Sequence, residues 1–157
     1  CSSDLPFDFF AKEGIIYTRM RNLPASRIIG ATVSETMISD GCVVEAGTRI
    51  ERSLIGVRSR IGKNCQIRDS VISGSDEFES DADRAKNSAA GRPNLNIGDG
   101  AVIELAILDK DCRVGKGVRI VNKDRKQEAD GPNGMYHIRD GIVCVPRGAI
   151  IPDGTVI

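Results

Sequence analysis

The stretch IGVRSRIGKNCQIRDSVI, residues 55–72, contains the pattern that decides the fold. Its isoleucines Ile55, Ile61, Ile67 and Ile72 follow one another at intervals of six, six and five residues. This spacing fits neither the 3.6-residue period of a helix nor the strict alternation of a half-buried strand. One full cycle takes 17 residues, and a fixed period of this length indicates a structural repeat.

The same beat continues on both sides of this stretch. Further aliphatic residues fall on it: Ile28, Val33, Ile38, Val44, Ile50, Ile97, Ile103, Leu108, Val114, Ile120, Val145, Ile151 and Ile157. In a parallel β-helix, each group of five or six residues forms one short strand and a corner, and three groups close a triangular coil. The sequence therefore predicts an all-β, hexapeptide-repeat β-helix in which each leading aliphatic residue points inward. It stacks on its counterpart 17 residues away.

The fourth residue after each leading aliphatic residue is expected to point inward again, near a corner with little room. Nearly all of these positions hold small residues: Cys42, Thr48, Ser59, Cys65, Val71, Ala101, Cys112, Val118, Ala149 and Thr155. Three of the five cysteines are therefore interpreted as small apolar fillers. Cys1 and Cys144 lie outside this slot, and a redox role stays open for both. The odd cysteine count and the lack of CxxC spacing argue against a disulfide framework or a zinc site.

Composition and charge exclude several classes of protein. The 157 residues suffice for one domain with a core, and a net charge of zero provides no global field for nucleic acid or anionic membranes. No segment approaches the roughly 20 apolar residues of a membrane span. The start, CSSDLPFDFF, does not resemble a signal peptide and lacks an initiator Met. We therefore expect the chain to be a piece of a longer protein.

Two stretches leave the beat, at about residues 73–96 and 121–141. The first is acidic and then basic, with a possible short helix over residues 81–90 and a Gly-Arg-Pro stop. Insertions in solenoids leave the coil as loops and often carry contacts. Both interpretations stay open here: solvated loops, or contacts to another domain or subunit.

The residues alone indicate no catalytic or metal site. Hexapeptide β-helices occur in carbonic anhydrases, which need three zinc-binding histidines, whereas this chain has only His137. They also occur in acyltransferases, in which a histidine acts as base, and His137 is the candidate for that alternative. No P-loop, GxGxxG, GxSxG or HExxH motif is present. A purely structural solenoid that mediates assembly is a further alternative.

Longer motifs point to one family. SDEFESDADR, AILDKDCRVGKGVRIVNKDRKQEADG and YHIRDGIVCVPRGAIIPDGTVI resemble the C-terminal domain of ADP-glucose pyrophosphorylase (glucose-1-phosphate adenylyltransferase). The early YTRMRNLPASRI resembles the linker of that family. The similarity covers nearly the whole chain. It is greatest to the cyanobacterial and the plant or algal branch, through the DADR and QEAD segments.

The resemblance implies a fold and an activity. The family's β-helix is left-handed, and the complete enzyme makes ADP-glucose and pyrophosphate from ATP and glucose 1-phosphate with Mg²⁺, for starch or glycogen synthesis. That chemistry belongs to an N-terminal nucleotidyltransferase domain whose Gly-rich nucleotide loop this chain lacks. We therefore expect residues 1–27 to be a linker from the catalytic domain and residues 28–157 to be the β-helix domain. This piece alone is expected to be inactive and to bind neither Mg²⁺ nor ATP.

The resemblance also implies an effector site. This branch of the family is activated by 3-phosphoglycerate and inhibited by phosphate. Its Asp-Lys pair matches Asp109 and Lys110 in AILDKDCRVG, and its further Lys matches Arg147 in VPRGAIIP. Arg keeps the charge and can bind a carboxylate or phosphate through two hydrogen bonds, but the change from Lys leaves effector preference open. The 37-residue separation of Lys110 and Arg147 is interpreted as two coils plus three residues, with one insertion between them.

Partners and location follow from the same resemblance. The expected partners are the chain's own catalytic domain and other subunits of a homo- or heterotetramer, with no nucleic acid and no membrane. A plant or algal source implies the plastid, and a cyanobacterial or other bacterial source implies the cytoplasm.

Overall fold

A computed structural model describes residues 10–157. Over this part of the chain, short strands follow one another around three faces, and most of them pair in parallel with the equivalent strand of the next coil. The predicted all-β parallel β-helix is therefore confirmed. None of the helices within this range is long and apolar enough to cross a membrane.

Strands are numbered in chain order. The first face consists of β1 (Arg27–Ile28), β4 (Val43–Val44), β7 (Arg60–Ile61), β10 (Asn96–Ile97), β13 (Arg113–Val114) and β18 (Ile150–Ile151). The second face consists of β2 (Thr32–Ser34), β5 (Arg49–Glu51), β8 (Gln66–Arg68), β11 (Val102–Glu104) and β14 (Arg119–Ile120). The third face consists of β3 (Met37–Ile38), β6 (Leu54–Ile55), β9 (Val71–Ile72), β12 (Ala106–Leu108), β17 (Ile142–Val145), β16 (His137–Arg139) and β15 (Ala129–Asp130).

The core is a set of aliphatic columns that run along the axis. On the second face, Ile50 pairs with Ile67, Ile67 with Ile103, and Ile103 with Ile120. Each of these side chains is at most 1% exposed. Burying one such side chain contributes roughly 1.5–3 kcal/mol. Repetition of these contacts therefore builds a core in a chain that has no Trp and few other aromatic residues.

The small inward slot has a polar function as well as a steric one. Thr48 Oγ1 donates a hydrogen bond to the carbonyl of Gly62 at 2.7 Å, and Cys65 Sγ donates to the carbonyl of Gly98 at 3.2 Å. The buried members of the slot are Cys42, Thr48, Ser59, Cys65, Ala101, Cys112 and Val118. Burial raises the pKa of the three cysteine thiols in this list, that of Cys112 to about 12. These cysteines are buried in the slot as predicted, and a raised thiol pKa leaves little of the reactive thiolate.

Two of the expected inward positions are exposed. Val71 is 39% exposed because Ile72 follows Ile67 by only five residues, so Val71 directly precedes an inward-facing residue and points outward. Ser70, which is 3% exposed, points inward in its place. Ile28 is 49% exposed because β1 is the edge strand of its face, so only one neighbouring coil packs against it.

The glycines of residues 55–72 are required by close packing between coils. An added Cβ would lie 2.2 Å from the carbonyl oxygen of Ser73 at Gly56, and 2.7 Å from the backbone nitrogen of Asp99 at Gly62. Neither glycine has a left-handed φ. Close packing between coils, and not a left-handed backbone, therefore accounts for these two residues.

The stretches that leave the beat contain elements of their own. Helix α1 (Asp81–Ala89) lies in the first and begins with a capping box in which Ser80 and Asp83 bond each other's backbone N–H. The second contains β15, a short 3-10 helix (Pro132–Gly134) and β16. Strands β15 and β16 pair antiparallel, and β16 also pairs antiparallel with β17, so this stretch widens the third face.

Two adjacent isoleucines test the inward columns. Ile151 is fully buried, whereas Ile150 on the same strand is 39% exposed. Ile151→Ala is expected to lower the free energy of unfolding by about 2–5 kcal/mol, because it leaves a cavity beneath β13. Ile150→Ala is expected to cost about 1 kcal/mol or less. Denaturant unfolding measures both, and equal losses would contradict the assigned orientation.

Candidate functional site

Lys110 and Arg147 occupy equivalent corners of adjacent coils. Leu108 pairs with Val145, and each cation lies two residues after its member of this pair. The N–H of Gly148 donates to the carbonyl of Lys110 at 2.9 Å, which continues the stacking through the corner. The two residues are therefore one coil apart, with the second interruption between them. The interpretation of their separation as two coils plus three residues is wrong.

A carboxylate joins the two cations. Lys110 Nζ lies 2.6 Å from Asp76 Oδ1, and Arg147 Nη2 donates to the other oxygen of the same carboxylate, Asp76 Oδ2. Arg147 Nη2 also lies 2.9 Å from Oδ2 of Asp111. Together with Asp109 these residues are called the corner cluster. The structure thus brings two of the three predicted effector residues to a single carboxylate.

Asp109, the third predicted residue, lies beside them in a different role. Its Oδ1 accepts a hydrogen bond from the backbone N–H of Lys110 at 2.7 Å, and its carboxylate is exposed. This contact shapes the turn that carries Lys110. The Asp-Lys pair therefore acts as a unit of local structure as well as a pair of charges.

The electrostatics of the corner cluster follow from these contacts. The hydrogen bond from Lys110, together with the charges of Lys110 and Arg147, holds the pKa of Asp76 below its usual value. The charges of Asp76 and Asp111 raise the pKa of Arg147. All the paired side chains remain between 24% and 59% exposed, so solvent screens these interactions. Two carboxylates, Asp76 and Asp111, pair with the two cations, so the ion pairs of the cluster carry no net charge.

Backbone contacts hold Asp76 at this corner. Its N–H donates to Asp111 Oδ1 at 2.9 Å, and the N–H of Asp111 donates to the carbonyl of Gly74 at 3.0 Å. The preceding Ser75 is fully buried, and its Oγ donates to Oδ1 of Asn96 at 3.0 Å. Residues 74–76 therefore continue the stack before the chain turns away.

A second, better shielded ion pair anchors the rest of this stretch. Glu79 Oε1 lies 2.6 Å from Arg113 Nη1, and the two side chains are only 10% and 14% exposed. The other oxygen of Glu79 accepts from the N–H of Leu95 at 2.8 Å. Burial by itself raises the pKa of Glu79, but the bonds from Leu95 and Arg113 outweigh it, and the pKa lies below its usual value.

His137, the candidate base of the acyltransferase alternative, lies in another network. Its Nδ1 is 2.7 Å from Asp130 Oδ1, to which Arg139 Nη2 also donates at 2.7 Å. These contacts hold the pKa of Asp130 below its usual value, with the bond from His137 as the largest cause. His137 lies on β16 and is absent from the contacts of the corner cluster.

The remaining candidates are the two cysteines outside the slot and any cluster of metal ligands. Cys144 is a half-buried free thiol on β17, and Cys1 lies outside the described residues. Within residues 10–157, no group of three or more His, Cys, Asp and Glu side chains is arranged to hold a metal ion. At the corner cluster the two cations are paired with carboxylates, and the cluster contains no Ser, Cys or His side chain.

Sequence reasoning missed Asp76, Asp111 and the pair of Glu79 with Arg113. Asp111 was within reach, because it directly follows Lys110 at the corner. Asp76 and Glu79 lie where the repeat has stopped, and a period predicts no partners there. The available signal was a run of acidic residues close to a corner that carries two cations.

In a comparison with known protein families, residues 21–156 match the model of the GLGC left-handed parallel beta-helix domain. This match confirms the predicted left-handed β-helix and the resemblance to the C-terminal domain of ADP-glucose pyrophosphorylase.

The anchor formed by Glu79 gives a pH-dependent prediction. Glu79→Gln is expected to lower the free energy of unfolding by about 1–3 kcal/mol at pH 7, because Arg113 loses its charged partner in a shielded place. Since the folded pKa of Glu79 is lowered, this contribution is fully present above the unfolded pKa. It is lost as the pH falls through the folded pKa.

Denaturant midpoints of both proteins between pH 7 and pH 3 measure this difference. Glu45→Gln is the control, because Glu45 pairs with Arg60 at 3.4 Å on the surface and should contribute about 0.5 kcal/mol or less. A difference between wild type and Glu79→Gln that does not shrink at acid pH would contradict the role of ionised Glu79.

Proposed function

The chain belongs to the family of GLGC left-handed parallel β-helix domains, and on this basis we propose that it is the regulatory and subunit-assembly domain of a glucose-1-phosphate adenylyltransferase. In this proposal the corner cluster contributes to the allosteric site for 3-phosphoglycerate and phosphate. The nucleotidyl transfer, which makes ADP-glucose from ATP and glucose 1-phosphate, takes place in a separate catalytic domain.

One observation carries the proposal of an effector site. Lys110 and Arg147 belong to coils separated by an interruption, yet they meet on the two oxygens of a single carboxylate. Two cations that both reach a single carboxylate can also reach a carboxylate or a phosphate group of a small molecule. Arg147 can offer two parallel hydrogen bonds to such a group, and Lys110 adds a point charge.

Mg²⁺ and ATP have no place on this chain in the proposal. Mg²⁺ prefers several oxygen ligands in octahedral geometry, and residues 10–157 hold no group of three or more candidate metal ligands. We therefore assign the ion and the nucleotide to the catalytic domain. The β-helix domain influences the reaction through its effector site and its contacts with other subunits.

The proposed assembly role is supported by an apolar stripe on the outside of the third face. Met37, Leu54, Val71 and Ile107 pair in succession along the axis, and each is 39–50% exposed. Cys144 continues the stripe beside Ile107. The equivalent outward positions of the second face are mostly polar or charged: Thr32, Arg49, Gln66, Val102 and Arg119.

A contiguous exposed apolar surface marks an interaction site in soluble proteins. We propose that a second subunit of the same fold covers this stripe. A straight ladder of similar side chains can face a copy of itself across a two-fold axis, as the symmetric contacts of homo-oligomers require.

Charge reversal tests the effector site. Lys110→Glu and Arg147→Glu, introduced into the enzyme that carries this domain, are each expected to raise the activation constant for 3-phosphoglycerate about tenfold or more, because an attractive charge becomes repulsive. Arg52→Glu is the control, since Arg52 forms a similarly exposed pair with Asp69 at another corner. Unchanged activation constants in both corner variants would contradict the assignment.

A lysine in the middle of the stripe tests assembly. Leu54→Lys is expected to weaken subunit association about tenfold or more, because a charge must be desolvated at the interface. Gln66→Lys, on the exposed side of the second face, is the control and should leave association unchanged. Sedimentation velocity over a range of concentrations measures both. If Leu54→Lys associates as the wild type does, the stripe is not the interface.

A further inference from the structure

We propose that the Asp76 carboxylate is a built-in competitor of the anionic effector at Lys110 and Arg147. This inference rests on the proposed function of the corner cluster and deepens it. It identifies the residue that sets the affinity of that site for small carboxylates and phosphates.

The contacts of Asp76 are those of a bound anion. Oδ1 accepts from Lys110 Nζ at 2.6 Å, and Oδ2 accepts from Arg147 Nη2. An effector carboxylate or phosphate offers the same pair of oxygen atoms to the same two donors. Asp76 therefore occupies the donor positions that such a group would take, and its negative charge opposes a second anion beside it.

The charges of the corner cluster give the direction of the effect. With Asp76 ionised, Asp76 and Asp111 offset the charges of Lys110 and Arg147, with which they form ion pairs, and an incoming anion meets no net positive charge among these four side chains. Of the two other carboxylates, Asp109 accepts from the N–H of Lys110, and Asp111 accepts from both Arg147 and the N–H of Asp76. Neutralising Asp76 leaves one positive charge in excess among these four side chains, and displacing Asp76 removes the carboxylate that holds Lys110 Nζ.

The surroundings of Asp76 permit displacement without unfolding of the coil. Its side chain is 41% exposed, and exposed ion pairs are weak. Buried Ser75 on one side and the anchored Glu79 on the other fix the stretch at two points. Movement can therefore be limited to the Asp76 side chain and the two residues between Asp76 and Glu79, while both anchors stay in place.

Asp76→Asn tests the competition, because it keeps the size of the side chain and the backbone N–H but removes the charge. Titration of the 157-residue chain with 3-phosphoglycerate, and separately with inorganic phosphate, is followed by calorimetry at low ionic strength and pH 7.5. Asp76→Asn is expected to bind about twofold to fivefold more tightly than the wild type, which is the scale of one exposed ion pair. Asp69→Asn, which removes the charge that pairs with Arg52, should bind as the wild type does.

The outcomes separate this inference from the proposed function. If the wild type binds, and Lys110→Glu and Arg147→Glu lose binding, the site stands. Unchanged or weaker binding by Asp76→Asn then overturns the competition and shows Asp76 to be a structural or orienting residue, which a lowered denaturant midpoint would accompany. If neither the wild type nor Asp76→Asn binds either anion, the proposed site itself is wrong, and the inference falls with it.

Discussion

Hydrogen bonds between the backbones of successive coils are the constraint on which the rest of this structure depends. At the end of the third face, the N–H of Gly56 donates to the carbonyl of Ile72 at 2.7 Å, that of Ser73 to Leu108 at 2.9 Å, and that of Asp109 to Val145 at 2.9 Å. The ladder runs through both interruptions without a change of register. Since each backbone group needs its partner, every coil must return to the same place after any excursion. The columns of isoleucine and the small corner residues follow from this requirement.

This constraint also explains why functional side chains can be placed accurately by segments that are not themselves repetitive. The stretch after β9 leaves at the corner and must rejoin at β10, and Ser75 and Glu79 attach it to the coil. The second interruption separates Lys110 from Arg147 in sequence but stacks them in space. The stacking of the coils thereby brings Asp76, from the first interruption, to the two cations that flank the second. The proposed regulation is a competition for the two cations at that corner.

Features within the repeat could be predicted from the sequence, whereas contacts made across the interruptions could not. The inward columns and the cysteines of the slot followed from spacing alone, because a side chain in a coil meets its equivalents at a fixed separation. The prediction that Val71 points inward was wrong because Ile72 follows Ile67 by five residues instead of six. The inward position before Ile72 therefore falls one residue earlier, on Ser70. Lys110 and Arg147 entered through the resemblance to a family, and spacing placed them too far apart. Asp76 was not predicted, because its two partners lie 34 and 71 residues further along the chain.

The sequence by itself determined the architecture, most of the core residues, the burial of three cysteines and the family. These features follow from a short period, because every coil needs an aliphatic or small residue at the same inward positions. Only the tertiary structure decided that Asp76 bridges the two cations, that Glu79 is shielded against Arg113, and that one outer face carries an apolar stripe. Each of these depends on which coil lies next to which after an interruption. That relation is set by backbone pairing in three dimensions, and a residue count along the chain does not contain it.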